Sequence, residues 1–137
     1  MKTIVAFGIF DIMHPGHIAY LKAASKLGDR LIVVVGRDEI ARKEKGTRPV
    51  MSEQDRLQVV SALRCVDHAV LGDRGEGYQV LLRIKPDILA IGYDQNAQHP
   101  VLKSLKNKGL RPKIVRMKKF GMRRHASSRI KSRIPSL

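Results

Sequence analysis

Two histidines three residues apart, His14 and His17, stand in the stretch Gly8-Ile9-Phe10-Asp11-Ile12-Met13-His14-Pro15-Gly16-His17. Ile4, Val5, Ala6 and Phe7 before it form an apolar run that predicts a buried strand. Ile18, Leu21, Ala24 and Leu27 after it, with Tyr20 and Ala23 beside them, give a helical stripe. Pro15 carries the fixed φ suited to a first helical position, so His14 is expected as the N-cap. The two imidazoles then share one face of the first turn, at the positive end of the helix. Gly16 between them leaves no side chain, and a ligand can approach the backbone. Such a pair, just past a strand end, suits the binding of phosphate groups. Two alternatives stay open: a metal site, which needs a third protein ligand that is not evident near this turn, and an ordinary polar surface.

The elements that must position this stretch follow in order. Leu31 to Val35 is a second unbroken apolar run, entered through Gly28-Asp29, and Asp38 to Glu44 is a short helix or turn. Lys43 to Pro49 reads as a basic loop, and Ser52 with Asp55 resembles an acidic capping box opening a helix that buries Leu57, Val60 and Leu63. Further strands are expected over Val66–Leu71, Ile88–Ile91 and Lys113–Met117, with helices over about Tyr78–Ile84 and Pro100–Lys108. The helix before Lys85-Pro86 must end there, because a residue preceding proline avoids the helical region. From Arg123 to Ile134 a loop and a short final helix are expected. Unbroken apolar strands alternating with helices predict a single α/β domain: a Rossmann-like, doubly wound, mostly parallel five-stranded sheet spanning 1–137. Ligands of such sheets lie beyond the carboxyl ends of the strands, where His14–His17, Gly92–Asp94 and the segment after Met117 should converge.

Composition bounds the setting. At 137 residues the chain suits one domain, and its 43% hydrophobic content with three Phe, three Tyr and no Trp predicts an aliphatic core. A single cysteine, Cys65, excludes an intrachain disulfide, and no export signal or membrane span is read, which together point to the cytoplasm. After Asp94 there are 43 residues with 13 Lys or Arg and no carboxylate, whereas the first 94 hold 14 basic and 12 acidic residues. Nearly all of the +15 net charge therefore lies in the last third, which will attract polyanions.

The stretch Gly8 to His17 resembles the H-x-G-H signature of the cytidylyltransferase-like nucleotidyltransferases, and Gly8-Ile9-Phe10-Asp11 resembles the G-T-F-D before it. Within that superfamily the sequence is most similar to the archaeal FAD synthases, and next to glycerol-3-phosphate cytidylyltransferases, over nearly the whole chain. Ile9 departs from the usual Thr, so a hydroxyl contact is lost there. The resemblance implies adenylyl transfer from ATP to FMN with release of pyrophosphate, a divalent metal such as Mg2+ carried with the ATP, and a homodimer. It implies that His14 and His17 bind the triphosphate, that Lys43 and Lys45 grip the acceptor phosphate, and that Arg56 is a phosphate-binding arginine. It assigns nucleotide contacts to Gly8, Ile9, Phe10, Asp11, Gly16, Gly92 and Asp94, and to Arg124, Ser127 and Ser128 in a basic segment from about 118 that completes the triphosphate site.

Each role has a plainer counterpart. Lys43 and Lys45 are alternatively solvated charges, Arg56 a helix-surface salt bridge, Gly92–Gln95 a polar turn, Ser127 and Ser128 a helix cap, and Asp11 the closure of its own turn. No convincing nucleophile is present, which fits direct in-line transfer. A different class of function, a nucleic-acid-binding module built on the basic third, lacks a stacking platform or a known motif, so nucleic acid is expected to bind only weakly and nonspecifically.

Overall fold

The computed structural model describes residues 1–74, 78–93 and 100–118, without the side chains of Glu44, Lys45, Tyr78, Pro100 and Val101. Five strands, β1 (Thr3–Gly8), β2 (Arg30–Val35), β3 (His68–Leu71), β4 (Ile88–Ile91) and β5 (Lys113–Arg116), form one sheet in the order β3-β2-β1-β4-β5. Every pairing is parallel. Helices α1 (Pro15–Ser25), α2 (Asp38–Lys45), α3 (Glu53–Ser61), α4 (Tyr78–Ile84) and α5 (Pro100–Asn107) connect them.

The period-two alternation of the central strands builds two cores. Ile4, Ala6, Leu31, Val33, Val35, Ile88 and Ala90 face one side, where Leu21 and Ala24 of α1 and Val60 of α3 cover them. Val5, Ile32, Val34 and Leu89 face the other, under Val80 and Leu81 of α4 and Leu105 of α5. Because both faces are covered, β2 and β4 read as unbroken apolar runs. The doubly wound expectation holds, and the sheet is wholly parallel among the described residues.

Some boundaries move. β3 starts at His68, because the Val66 amide is taken by Leu63 O (3.1 Å) in the turn after α3. α2 is a true helix that continues through Lys45 to a left-handed Gly46 (φ 79), so Lys43 and Lys45 belong to its last turn and the loop begins only at Gly46. α4 ends at Ile84 as expected, and Lys85 takes a left-handed φ of 55 that closes the turn back to Leu81 O (2.8 Å).

The strand order reverses between β1, which leads to β2 and β3, and β4, which leads to β5 on the other side. That is the topological switch point, and its carboxyl end is where this fold class holds ligands. Among the described residues no helix is long and apolar enough to cross a membrane.

Candidate active site

The turn leaving β1 is held in a costly conformation. Phe10 (φ 55) and Ile12 (φ 54) both lie in the left-handed region, at about 1–3 kcal/mol each, so surrounding contacts must over-determine them. Three do. The Phe10 ring lies over Gly8, where a Cβ would come within 2.6 Å of it, and it is 4% exposed. The buried Asp11 carboxylate accepts the amides of Val50 (2.9 Å) and Met51 (3.0 Å), tying the turn to the loop before α3. Arg56 donates to Ile9 O at 2.8 Å. Ile9 itself covers Gly36, whose added Cβ would meet Ile9 Cδ1 at 2.5 Å, so this side chain fills the corner between the ends of β1 and β2.

The histidines close a reciprocal cap. His14 is the N-cap of α1, as expected, and its Nδ1 accepts the Gly16 amide (3.1 Å), while His17 Nδ1 accepts the His14 amide (3.3 Å). Each Nδ1 therefore carries a lone pair, and the proton of each neutral ring sits on Nε2. The rings stack with centroids 3.7 Å apart, and Phe10 meets His17 edge-on at 5.4 Å. Two Nε2–H donors are thus fixed side by side at a helix N-terminus whose first turn holds no acidic residue. The first turns of α2 and α3, by contrast, carry Asp38 and Glu39, and Glu53 and Asp55.

Arg56 is not a helix-surface salt bridge. Its side chain is fully buried: Nε donates to Met51 O (3.1 Å), Nη1 to Ile9 O and Gly36 O (both 2.8 Å), and Nη2 pairs with Asp38 (2.6 Å). It gathers the ends of β1 and β2 and the loop before α3. Beside it Arg37 joins Gly72 O (2.8 Å) to Glu53 (2.8 Å). Glu53 also accepts the Asp38 amide (3.0 Å), and this bond, with Arg37, holds its carboxyl below the ordinary value against the cost of burial. Arg37, Asp38 and Glu53 escaped sequence reasoning. The only local sign was acidic residues opening two short helices.

The remaining expected residues divide. Phe10 and Asp11 are buried, so their side chains act on His17 and on the 50–51 backbone. Gly16 is buried between the two histidines, and Lys43 is exposed on α2. Gly92 follows β4 at the same carboxyl edge as Gly8, and Arg116 of β5 donates to Gly92 O (3.3 Å) and Tyr93 O (3.0 Å). The Lys45 side chain, Asp94, Arg124, Ser127, Ser128 and the expected final helix lie outside the described residues. Cys65 is partly buried, and burial pushes its thiol up, which opposes a nucleophilic thiolate. Among the described residues no three His, Cys, Asp or Glu side chains are gathered as a metal cage.

Tyr20 was expected only as part of an apolar stripe. Its hydroxyl instead reaches the switch point: it donates to Ala90 O (2.6 Å) and accepts the Phe7 amide (3.3 Å).

A nucleotide-handling α/β fold with an imidazole pair at its first helix agrees with the comparisons. Residues 5–133 match the cytidylyltransferase-like family model, and the chain belongs to that family. It is similar to an FAD synthase of Thermoplasma volcanium, 44% identical over all of this chain and 96% of that protein. It is also similar to an FAD synthase of Archaeoglobus profundus, 45% identical over 86% of this chain and 76% of the relative. A crystal structure described as a lipopolysaccharide core biosynthesis protein of Thermoplasma volcanium superposes with a TM-score of 0.81 at 43% identity, over 88% of this chain and 98% of that one.

Proposed function

We propose that this protein is an FMN adenylyltransferase that joins ATP and FMN to give FAD and pyrophosphate. The observation that carries adenylyl transfer is the stacked His14–His17 pair, each ring oriented through Nδ1 at the start of α1. An FMN phosphate oxygen attacks the α-phosphorus of ATP, a new P–O bond forms, and the bond from the α-phosphorus to the bridging oxygen of the β-phosphate breaks in line. The chain needs no covalent intermediate for this. Its work is to hold two polyanions together and to stabilise charge moving onto the leaving pyrophosphate. His14 and His17 do so at the triphosphate, and the α1 N-terminus adds partial positive charge.

Lys43 and Lys45, at the end of α2, take the acceptor's phosphate. Gly92 and Asp94 hold the nucleoside, and Arg124, Ser127 and Ser128 hold the outer phosphates. Mg2+ carried with ATP would supply neutralisation of phosphate charge. FMN as acceptor is supported by the two FAD synthase relatives, at 44% and 45% identity. The same reading takes the enzyme to be cytoplasmic and dimeric, with nucleic acid held only weakly and nonspecifically by the basic last third.

The test is direct. Purified protein is incubated with ATP or CTP, with FMN or glycerol 3-phosphate, and with Mg2+, and pyrophosphate and product are measured. FAD formed only from ATP and FMN is the expected result. CDP-glycerol from CTP and glycerol 3-phosphate replaces both substrates, and no pyrophosphate in any combination ends the transferase reading.

A further inference from the structure

β1 and β4 do not pair along their full length. β1 runs to Gly8 and stays paired with β2 as far as Gly8↔Val35, yet its pairing with β4 stops at Ala6↔Ala90, although β4 continues to Ile91. Where the ladder stops, the Phe7 amide and the Ala90 carbonyl are both bonded to one oxygen, the Tyr20 hydroxyl, at 3.3 and 2.6 Å. The hydroxyl is inserted between backbone groups of two neighbouring parallel strands. It stands where, among the described strands, the direction of winding reverses. The rest of Tyr20 packs with the core formed by Leu21, Ala24 and the covered face of the sheet, so the ring is braced from behind.

We infer that Tyr20 is a positioning residue for nucleotide binding, its hydroxyl acting as the spacer that holds the β1–β4 crevice apart beside His14 and His17. This rests on the adenylyl-transfer reading above. Without the oxygen, the bridge it makes between the Phe7 amide and the Ala90 carbonyl is lost, and the strand ends either draw together, narrowing the crevice, or part further, leaving it loose. Both outcomes act on the space that a nucleotide enters, and neither alters the imidazole donors. Sequence periodicity assigns Tyr20 to the buried stripe of α1, and only its hydroxyl departs from that role.

The experiment compares wild-type protein with Tyr20→Phe, using ATP calorimetry and steady-state kinetics of FAD formation. In Tyr20→Phe, the ATP dissociation constant and the KM for ATP should each rise about tenfold, with kcat and the KM for FMN within about twofold of wild type. Asp87→Ala serves as a control that removes the bond to the Thr3 amide (2.8 Å) at the opposite end of the sheet. It should lower the melting temperature at least as far and leave the KM for ATP unchanged.

Unchanged ATP affinity in Tyr20→Phe overturns the inference. So does an equal rise in KM for ATP in the control, which would assign the effect to stability alone. A wild-type protein that binds ATP but makes no FAD defeats the FMN reading only, and the role of Tyr20 is then decided by the calorimetry. A wild type that binds no nucleotide overturns both.

Discussion

At the end of the sheet where the strands begin, three aspartates, Asp29, Asp67 and Asp87, each immediately precede a strand or its first residue. They accept backbone amides of Lys2 (2.7 Å), Leu31 (2.8 Å) and Thr3 (2.8 Å). At the end where the strands finish, the chain reverses the chemistry. Arg56 takes the carbonyls of Ile9, Gly36 and Met51, and Arg37 takes that of Gly72. A parallel sheet leaves amides over at one end and carbonyls at the other, so anions satisfy the first and cations the second. The lesson concerns the site. These two guanidinium groups at the finishing end are engaged by the fold itself, and the stacked imidazoles stand at the same end, at the start of α1.

That contrast can be broken at either end. The largest effect belongs to His17→Ala, which removes one of the paired Nε2 donors. Turnover should fall about a hundred- to a thousandfold while the melting temperature drops only slightly, measured by pyrophosphate release and thermal unfolding. Gly8→Ala should act on both quantities. Its methyl would meet the Phe10 ring at 2.6 Å, and because Phe10 abuts His17 the displacement reaches the donor pair. A loss of about ten- to a hundredfold in kcat is expected, with lowered stability. Asp87→Ala at the starting end should cost about 1 kcal/mol in denaturant unfolding, since the buried Thr3 loses a partner, and leave kcat unchanged.

The smallest effect is electrostatic and lies at the finishing end. The folded protein holds Glu53 below its ordinary value of 4.5, so its contribution to stability is present above that pH. The contribution is lost as pH falls through the lower, folded value. Glu53→Gln should therefore flatten the acid side of the stability–pH curve below about pH 4.5, read by urea unfolding at several pH values, and leave the neutral-to-basic limb parallel to wild type.

What was legible in the sequence was what local pattern encodes. The strands β1, β2 and β4 announce themselves as apolar runs because both faces are covered, and Pro15 after His14 marks the helix start. The burial of Arg56 was hidden for a physical reason. Its position one turn into a helix says nothing of the carbonyls it serves, which lie 20 and 47 residues away. The partners of Asp11, 39 and 40 residues on, were hidden in the same way. Lys43 and Lys45 looked like loop residues because Gly46 and Pro49 punctuate the segment, whereas Gly46 only caps the helix that carries them. Tyr20 was hidden by its own ring, whose apolar bulk fits the helix stripe and masks the one atom that leaves it.

The bonds from Asp11 to Val50 and Met51, and from Arg56 back to Ile9, also bear on the order in which the molecule is made. The signature leaves the ribosome before residues 50–56, so the contacts of Asp11 with Val50 and Met51, and of Arg56 with Ile9, form only once the chain has grown past Arg56. A nascent chain that carries the whole motif therefore still lacks two of the braces on its strained turn, which come only with a later segment.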